Sequence, residues 1–143
     1  MAQHSINKTF EAFLNTTLTN EVSKIDVDEV DTQNMILLDT RTKEEYELSH
    51  LKNAIWIGYD AFDLKKLDGI STDENIVVYC SIGVRSGKIG KELQKADYKN
   101  VKNLYGGIFE WYNRGNAVYN KQGVTNDIHT YNFMWSVWVN KRN

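Results

Sequence analysis

The chain has 143 residues, 41% of them hydrophobic and 25% charged, which suits one globular domain with a core of its own. A formal net charge of −2 and a pI near 5.9 argue against a general nucleic-acid binder, which would be basic. No apolar run approaches the ~18 residues that cross a bilayer, and the first residues lack a basic stretch followed by an apolar one, so neither a membrane span nor a secretory leader is expected.

Residues 7–19 read as a first helix, with Phe10, Phe13, Leu14 and Leu18 on one face. Residues 23–26 suit a short strand, and Asp26 to Val30 the acidic opening of a short helix. The apolar run Met35 to Leu38, ended by Asp39, predicts a strand covered on both faces, as in a parallel sheet. A helix follows over 42–48, with Thr42 as N-cap and Glu45 as its capping-box partner. Residues 54–57 give another short strand and 60–67 a short helix. Strand 75–79, loop 80–85 and helix 86–97 form the central unit, in which Ile89, Leu93 and Ala96 share a face. Residues 101–105 read as a strand, and Gly106-Gly107 opens a short helix, 108–113. Residues 116–126 read as a polar link to a last helix carrying Ile128, Tyr131, Trp135 and Trp138. Strands alternating with helices imply an α/β fold, a sheet of about five mainly parallel strands with helices on both faces. The organisation that follows is a helical extension over 1–21, a domain over 22–116 and an extension over 117–143 whose aromatic helix packs on that domain.

Cys80 is the only cysteine, so no internal disulfide forms and a reducing, cytoplasmic setting is expected. It lies between the end of a strand and the start of a helix, where unpaired N–H groups and the helix dipole favour a thiolate. Arg85 adds a full positive charge five residues on. Ser81, Ile82, Gly83, Val84, Arg85 and Ser86 are therefore candidate binding residues around a sulfur anion, with backbone amides of 81–85 aimed inward as a nest. Gly83 is best able to take a positive φ there, and Ser86 caps the helix or donates to the sulfur. A lone cysteine is often an inert buried thiol; the Gly and Arg at fixed offsets are what favour chemistry here. Arg85 either meets an anionic substrate or pairs with a carboxylate and supports the loop. Asp39 and Arg41 read as structural residues near the site, Arg41 pairing with Glu44 or Glu45 to fix the strand-to-helix turn. His50 is expected to close a turn. Three histidines and one cysteine, widely separated, make no metal-ligand cluster, and no cofactor is expected.

Three ordered stretches carry a resemblance. Leu37-Leu38-Asp39-Thr40-Arg41 with His50-Leu51-Lys52-Asn53-Ala54, then Ile76 to Ser86 with its Cys-x-x-Gly-x-Arg-Ser loop, then Val101 to Trp111 with Gly106-Gly107, together resemble the signatures of single-domain rhodanese-like proteins. Asn53 stands where that family often has Gly, and Asn tolerates a left-handed backbone. The resemblance implies a sulfurtransferase. The Cys80 thiolate takes a sulfane sulfur from thiosulfate or a persulfide, and an acceptor such as cyanide, a small thiol or a protein thiol removes it. No nucleic acid or membrane partner is implied, and the oligomeric state is open. Cysteine phosphatases, including those sharing this fold, space Cys and Arg by five residues; here four intervene, which narrows the loop around a guest smaller than phosphate. Two alternatives stand beside sulfur transfer: a non-catalytic binding or regulatory module, and a cysteine phosphatase or arsenate reductase. The aromatic stripe of the C-terminal extension reads first as core, and otherwise as a lid or dimer contact near the loop, with His129 reaching its mouth.

Overall fold

The strand that ends at Cys80 lies in the middle of the sheet because both of its faces are apolar. The computed structural model describes residues 6–19, 21–132 and 134–142; residues 1–5 and 20 of the N-terminal extension, and 133 and 143 of the C-terminal one, lie outside it. Strands β1 (Lys24–Ile25), β2 (Ile36–Asp39), β3 (Ile55–Trp56), β4 (Asn75–Tyr79) and β5 (Asn100–Leu104) pair in the order β1-β5-β4-β2-β3, all parallel. In β4, Ile76 and Val78 face one side, packing with Leu38, Ile89, Leu93 and Val101. Val77 and Tyr79 face the other, with Phe10, Leu14, Ile108 and Phe109. That period of two, with both sides buried, is what a central parallel strand requires. The register Asp39↔Tyr79 sets the ends of β2 and β4 side by side, so Thr40 and Cys80 leave the sheet together at its carboxyl edge.

Among the described residues four α-helices cover the sheet: α1 (Lys8–Thr17), α2 (Lys43–Leu48), α3 (Val84–Lys95) and α4 (Gly107–Asn113). Asn7 caps α1, accepting from the amides of Thr9 and Phe10. Thr42 and Glu45 form the expected capping box of α2. A second box, Asp26 with Glu29, starts a single 3₁₀ turn at Val27–Glu29. Asn53 takes a φ of 62°, so it fills the left-handed position. No helix among the described residues is long and apolar enough to cross a membrane.

Three elements differ most from the sequence reading. The stretch read as a polar link contains a hairpin, β6 (Val118–Asn120) and β7 (Gly123–Thr125), antiparallel. Its polar composition hid it: Val118 is buried, Asn120 Oδ1 caps the turn through the Gln122 amide, and Gly123 supplies a φ of 116°. The helix expected over 60–67 is one 3₁₀ turn, Leu64–Leu67. The last helix is likewise reduced to a 3₁₀ turn, Met134–Trp138. Side chains compete with the backbone there: His129 Nδ1 takes the Tyr131 amide and Asn132 Oδ1 the Trp135 amide. The aromatic stripe still packs on the core. Trp138 stacks on Phe10 and Phe13, with centroids 5.4 and 5.0 Å apart, and Trp135 meets Phe13 and Phe109 edge-on at 6.4 Å.

Candidate active site

Helix α3 begins at Val84, two residues earlier than its sequence pattern suggests, so the turn from β4 is only Cys80 to Gly83. Gly83 takes a φ of 126° and donates its amide to Cys80 Sγ at 3.1 Å. The first main-chain bond at this end of α3 runs from Gly87 N–H to Gly83 O at 3.1 Å, leaving the amides of Val84, Arg85 and Ser86 ahead of the helical ladder. The carbonyls of the loop are turned away from the sulfur: Cys80 O accepts from the Ile108 amide at 3.0 Å and Ser81 O from that of Phe109 at 3.1 Å. The start of α4 therefore holds the loop from behind. Asn103, on β5, holds it from the side. Its Nδ2 donates to Gly83 O at 3.0 Å, and its Oδ1 accepts from Ser86 Oγ at 2.6 Å. Ser86 Oγ also lies 3.4 Å from Cys80 Sγ, but a hydroxyl has one proton and the much shorter contact takes it. Ser86 thus ties the start of α3 to Asn103 beside the sulfur rather than capping the helix, whose N-cap is Gly83 with no side-chain bond.

The other loop side chains turn into the protein. Ile82 is buried in the core cluster that holds Phe10 and Leu14. Ser81 Oγ donates to Glu45 Oε2 at 3.1 Å. Arg85 forks onto the same carboxylate, Nη1 to Oε1 at 2.7 Å and Nη2 to Oε2 at 3.0 Å, and Nη2 also reaches Ser81 Oγ at 3.0 Å. Its side chain is 13% exposed, so this is the carboxylate-paired arrangement, with the guanidinium held inside the wall of the loop. Burial raises the Glu45 carboxyl, but the Arg85 fork and the Thr42 amide outweigh it and bring its pKa from 4.5 down to about 2. For Arg85 burial opposes the charge, and Glu45 and the Cys80 sulfur hold it above its usual value.

A depressed carboxylate contributes stability that is complete above its unfolded pKa and is lost as pH falls through its folded one. Glu45 thus adds on the order of 3 kcal/mol, present above about pH 4.5 and withdrawn toward about pH 2. Urea unfolding at about pH 7 and about pH 2.5 is expected to show a smaller acid loss in Glu45→Gln than in the wild type. Equal losses would place the acid sensitivity elsewhere.

Asp39 and Arg41 form a separate buried network behind the loop. Arg41 pairs with Asp39 at 2.7 Å, not with Glu44 or Glu45 as its sequence position suggests, and donates to Ser49 O at 2.6 Å. Two residues apart on one bend, Asp39 reaches Arg41 directly, while Glu45 is taken by Arg85. Tyr79 O–H donates to Asp39 Oδ2 at 2.7 Å and accepts from the Leu51 amide at 3.1 Å. Burial and Asp39 push the Tyr79 phenol well above its usual pKa, which keeps it a donor. His50 closes its turn through Nδ1 on Tyr46 O at 2.8 Å. A cavity of about 140 Å³ opens beside Arg85, with Thr42, Trp56, Tyr59 and Ala61 among its walls. Among the described residues no cluster of three His, Cys, Asp or Glu could hold a metal.

Cys80, Gly83 and Ser86 thus meet around the sulfur, Ser81 and Arg85 meet at Glu45, and Asp39 pairs with Arg41, which shares a cavity wall with Arg85. Two residues that shape the site, Glu45 and Asn103, escaped the sequence reading in that role. Tyr131 belongs to the stripe read first as core and otherwise as a lid or dimer contact near the loop; its ring lies over the Arg85 guanidinium at 4.7 Å. A signal existed for Asn103, a polar residue on the same strand face as the apolar Val101.

A five-stranded parallel α/β sheet carries its one cysteine in a four-residue turn at the carboxyl edge, where open sheets of this class bind their ligands. The chain belongs to the rhodanese-like domain family, whose model matches residues 25–114. It is 33% identical over 93 residues to a tRNA uridine(34) hydroxylase of Pectobacterium atrosepticum, a match covering 61% of this chain and 26% of that protein. It is also 33% identical over 84 residues to an adenylyltransferase and sulfurtransferase of Candida albicans, covering 53% of this chain and 19% of that one. The chain thus spans about a quarter or less of the length of these curated relatives. The crystal structure of a rhodanese-related protein from Thermoplasma volcanium superposes with a TM-score of 0.59 at 24% identity, covering 67% of this chain and 96% of that one, and shares the fold.

Proposed function

We propose that the chain is a sulfurtransferase in which Cys80 carries the transferred sulfur. The observation that supports it most is the placement of its only cysteine: Sγ ends a central strand, meets the Gly83 amide at 3.1 Å and faces the free first turn of α3. In the first step the Cys80 thiolate attacks the outer sulfur of a donor. A Cys80 S–S bond forms, the donor's own bond to that sulfur breaks, and the electron pair leaves with the remainder, sulfite when the donor is thiosulfate. In the second step an acceptor nucleophile takes the outer sulfur and returns Cys80 to the thiolate. With no second cysteine in the chain, the acceptor comes from outside: cyanide, a small thiol or a protein thiol. The lone thiol suits a reducing, cytoplasmic setting. The Candida relative, named in part for sulfurtransferase activity, supports the same chemistry.

One observation favours the second reading, a non-catalytic binding module: Cys80 is 1% exposed. Intact mass after incubation with thiosulfate or a persulfide distinguishes the two. Transfer predicts a gain of one sulfur atom, confined to Cys80 because no other cysteine exists, and its loss on adding cyanide with release of thiocyanate. A thiol that no donor loads would leave the binding module.

A further inference from the structure

The carbonyls of the Cys80 turn are held by two kinds of group. Cys80 O and Ser81 O are taken by main-chain amides, those of Ile108 and Phe109. Gly83 O is taken by a side chain, Asn103 Nδ2, at 3.0 Å. Asn103 is 5% exposed and sits on β5, outside the turn and outside the helix that follows it.

A buried side-chain amide is costly unless both of its ends are matched. Here they match in one sense only. A carbonyl oxygen accepts and never donates, so Nδ2 must face Gly83 O. Oδ1 then faces Ser86, whose hydroxyl donates to it at 2.6 Å. The amide is seated between two glycines: a Cβ would lie 3.5 Å from Nδ2 at Gly83 and 3.4 Å from it at Gly87.

The Nδ2 bond acts on one peptide unit. The Gly83 carbonyl and the Val84 N–H belong to the same planar trans unit and point in opposite directions. Gly83 O points into α3, where it also accepts from the Gly87 amide at 3.1 Å. Val84 N–H therefore points back off the start of the helix, the end at which Cys80 lies. The preceding unit is independent of Asn103. Its N–H, that of Gly83, is joined to the Ile82 carbonyl and meets Cys80 Sγ at 3.1 Å.

Resting on the sulfur-transfer reading, we propose that Asn103 is a positioning residue for the transferred sulfur: by holding Gly83 O it aims the Val84 N–H at the outer sulfur of the Cys80 persulfide. With thiosulfate as donor, the thiolate bonds to the outer sulfur, and sulfite leaves with the electron pair of the bond that breaks. That sulfur then ends the persulfide and carries its negative charge, which the Val84 amide meets. Asn103 acts through this peptide unit rather than on the sulfur.

The test reads the backbone amides of nitrogen-labelled protein by NMR before and after excess thiosulfate has loaded Cys80, in the wild type, Asn103→Leu and Asn103→Asp. Leucine keeps the approximate shape of asparagine and removes both bonds. Aspartate keeps the acceptor for Ser86 and sets an oxygen against Gly83 O. In the wild type, loading is expected to shift both the Gly83 and the Val84 amide. In both variants the Gly83 shift is kept, the Val84 shift is lost, and kcat/KM for thiosulfate, per loadable thiol, falls about tenfold or more. Ser86→Ala keeps the Val84 shift, because Nδ2 still holds Gly83 O. The contrast between neighbouring amides separates a misaimed peptide from a collapsed turn, which would remove both shifts together. If Asn103→Leu does not fold, Asn103→Asp carries the comparison. A wild-type Val84 amide that ignores loading, a shift that survives in the variants, or loss of both shifts together would overturn the assignment and leave sulfur transfer intact. Variants that no longer load at all would overturn it too, since one misaimed amide slows transfer without removing it. Failure of wild-type Cys80 to load would instead remove the sulfur-transfer reading, and this assignment with it.

Discussion

Glu45→Ala is expected to cost about 3–5 kcal/mol of folding stability and to abolish sulfur loading of Cys80. The size follows from what the carboxylate holds. Its two oxygens receive the Arg85 fork, Ser81 Oγ, and the amide and hydroxyl of Thr42. Were Glu45 only a helix cap, its removal would cost about 1 kcal/mol. Without it, the guanidinium of a side chain only 13% exposed stays in the loop wall without its carboxylate, and the penalty of a buried uncompensated charge dominates. The same change releases Ser81 and Arg85, which flank the Cys80 turn, so the geometry at the sulfur is lost as well. Arg85→Ala is expected to reduce loading from anionic and neutral donors alike, because it orphans Glu45. Urea unfolding near neutral pH together with intact-mass loading measures both effects. A stability loss of about 1 kcal/mol with loading retained would reduce Glu45 to its capping role.

The second large effect is expected at Gly107. Its φ is 59°, and a Cβ added there would lie 2.4 Å from Ser81 O and 2.6 Å from Cys80 O. These are the carbonyls that the Ile108 and Phe109 amides hold away from the sulfur. Gly107→Ala must therefore move backbone against backbone. Left-handed strain of about 1–2 kcal/mol adds to an overlap cost of about 1–3 kcal/mol, giving a loss of about 3 kcal/mol. The loop is displaced toward the sulfur, and loading of Cys80 falls below detection. A useful comparison is Gly115→Ala, at φ 86° with nothing within 4 Å of the added carbon, which pays only the backbone term and keeps loading. If Gly107→Ala and Gly115→Ala behave alike, α4 does not shape the loop.

Much of the sheet was legible because its signals are local. The apolar runs ending at Asp39 and Tyr79 announce strands buried on both faces, and the Thr42–Glu45 box marks a helix start within four residues. The loop was legible from the offsets of Gly83 and Arg85 to Cys80. The partners of that loop were not. Glu45 announces itself as a cap, and nothing near it in sequence reveals that it also accepts Arg85, forty positions away. Arg41 looked able to reach forward to α2, yet the nearer Asp39 holds it. The C-terminal stripe shows the opposite failure. Its spacing of aromatics satisfies a helix, but His129 and Asn132 offer the backbone competing bonds, and the stripe reaches the core through a bent segment instead.

The stacking of Trp138 on Phe10 and Phe13 has a consequence for the order of assembly. During synthesis the sheet, the Cys80 turn and its Glu45–Arg85 brace all leave the ribosome before residues 131–138 do. The first helix is therefore made early and completed late. Until Trp138 has emerged, the rings of Phe10 and Phe13 lack the indole that stacks on them in the finished fold, so the apolar face between the two ends of the chain closes last.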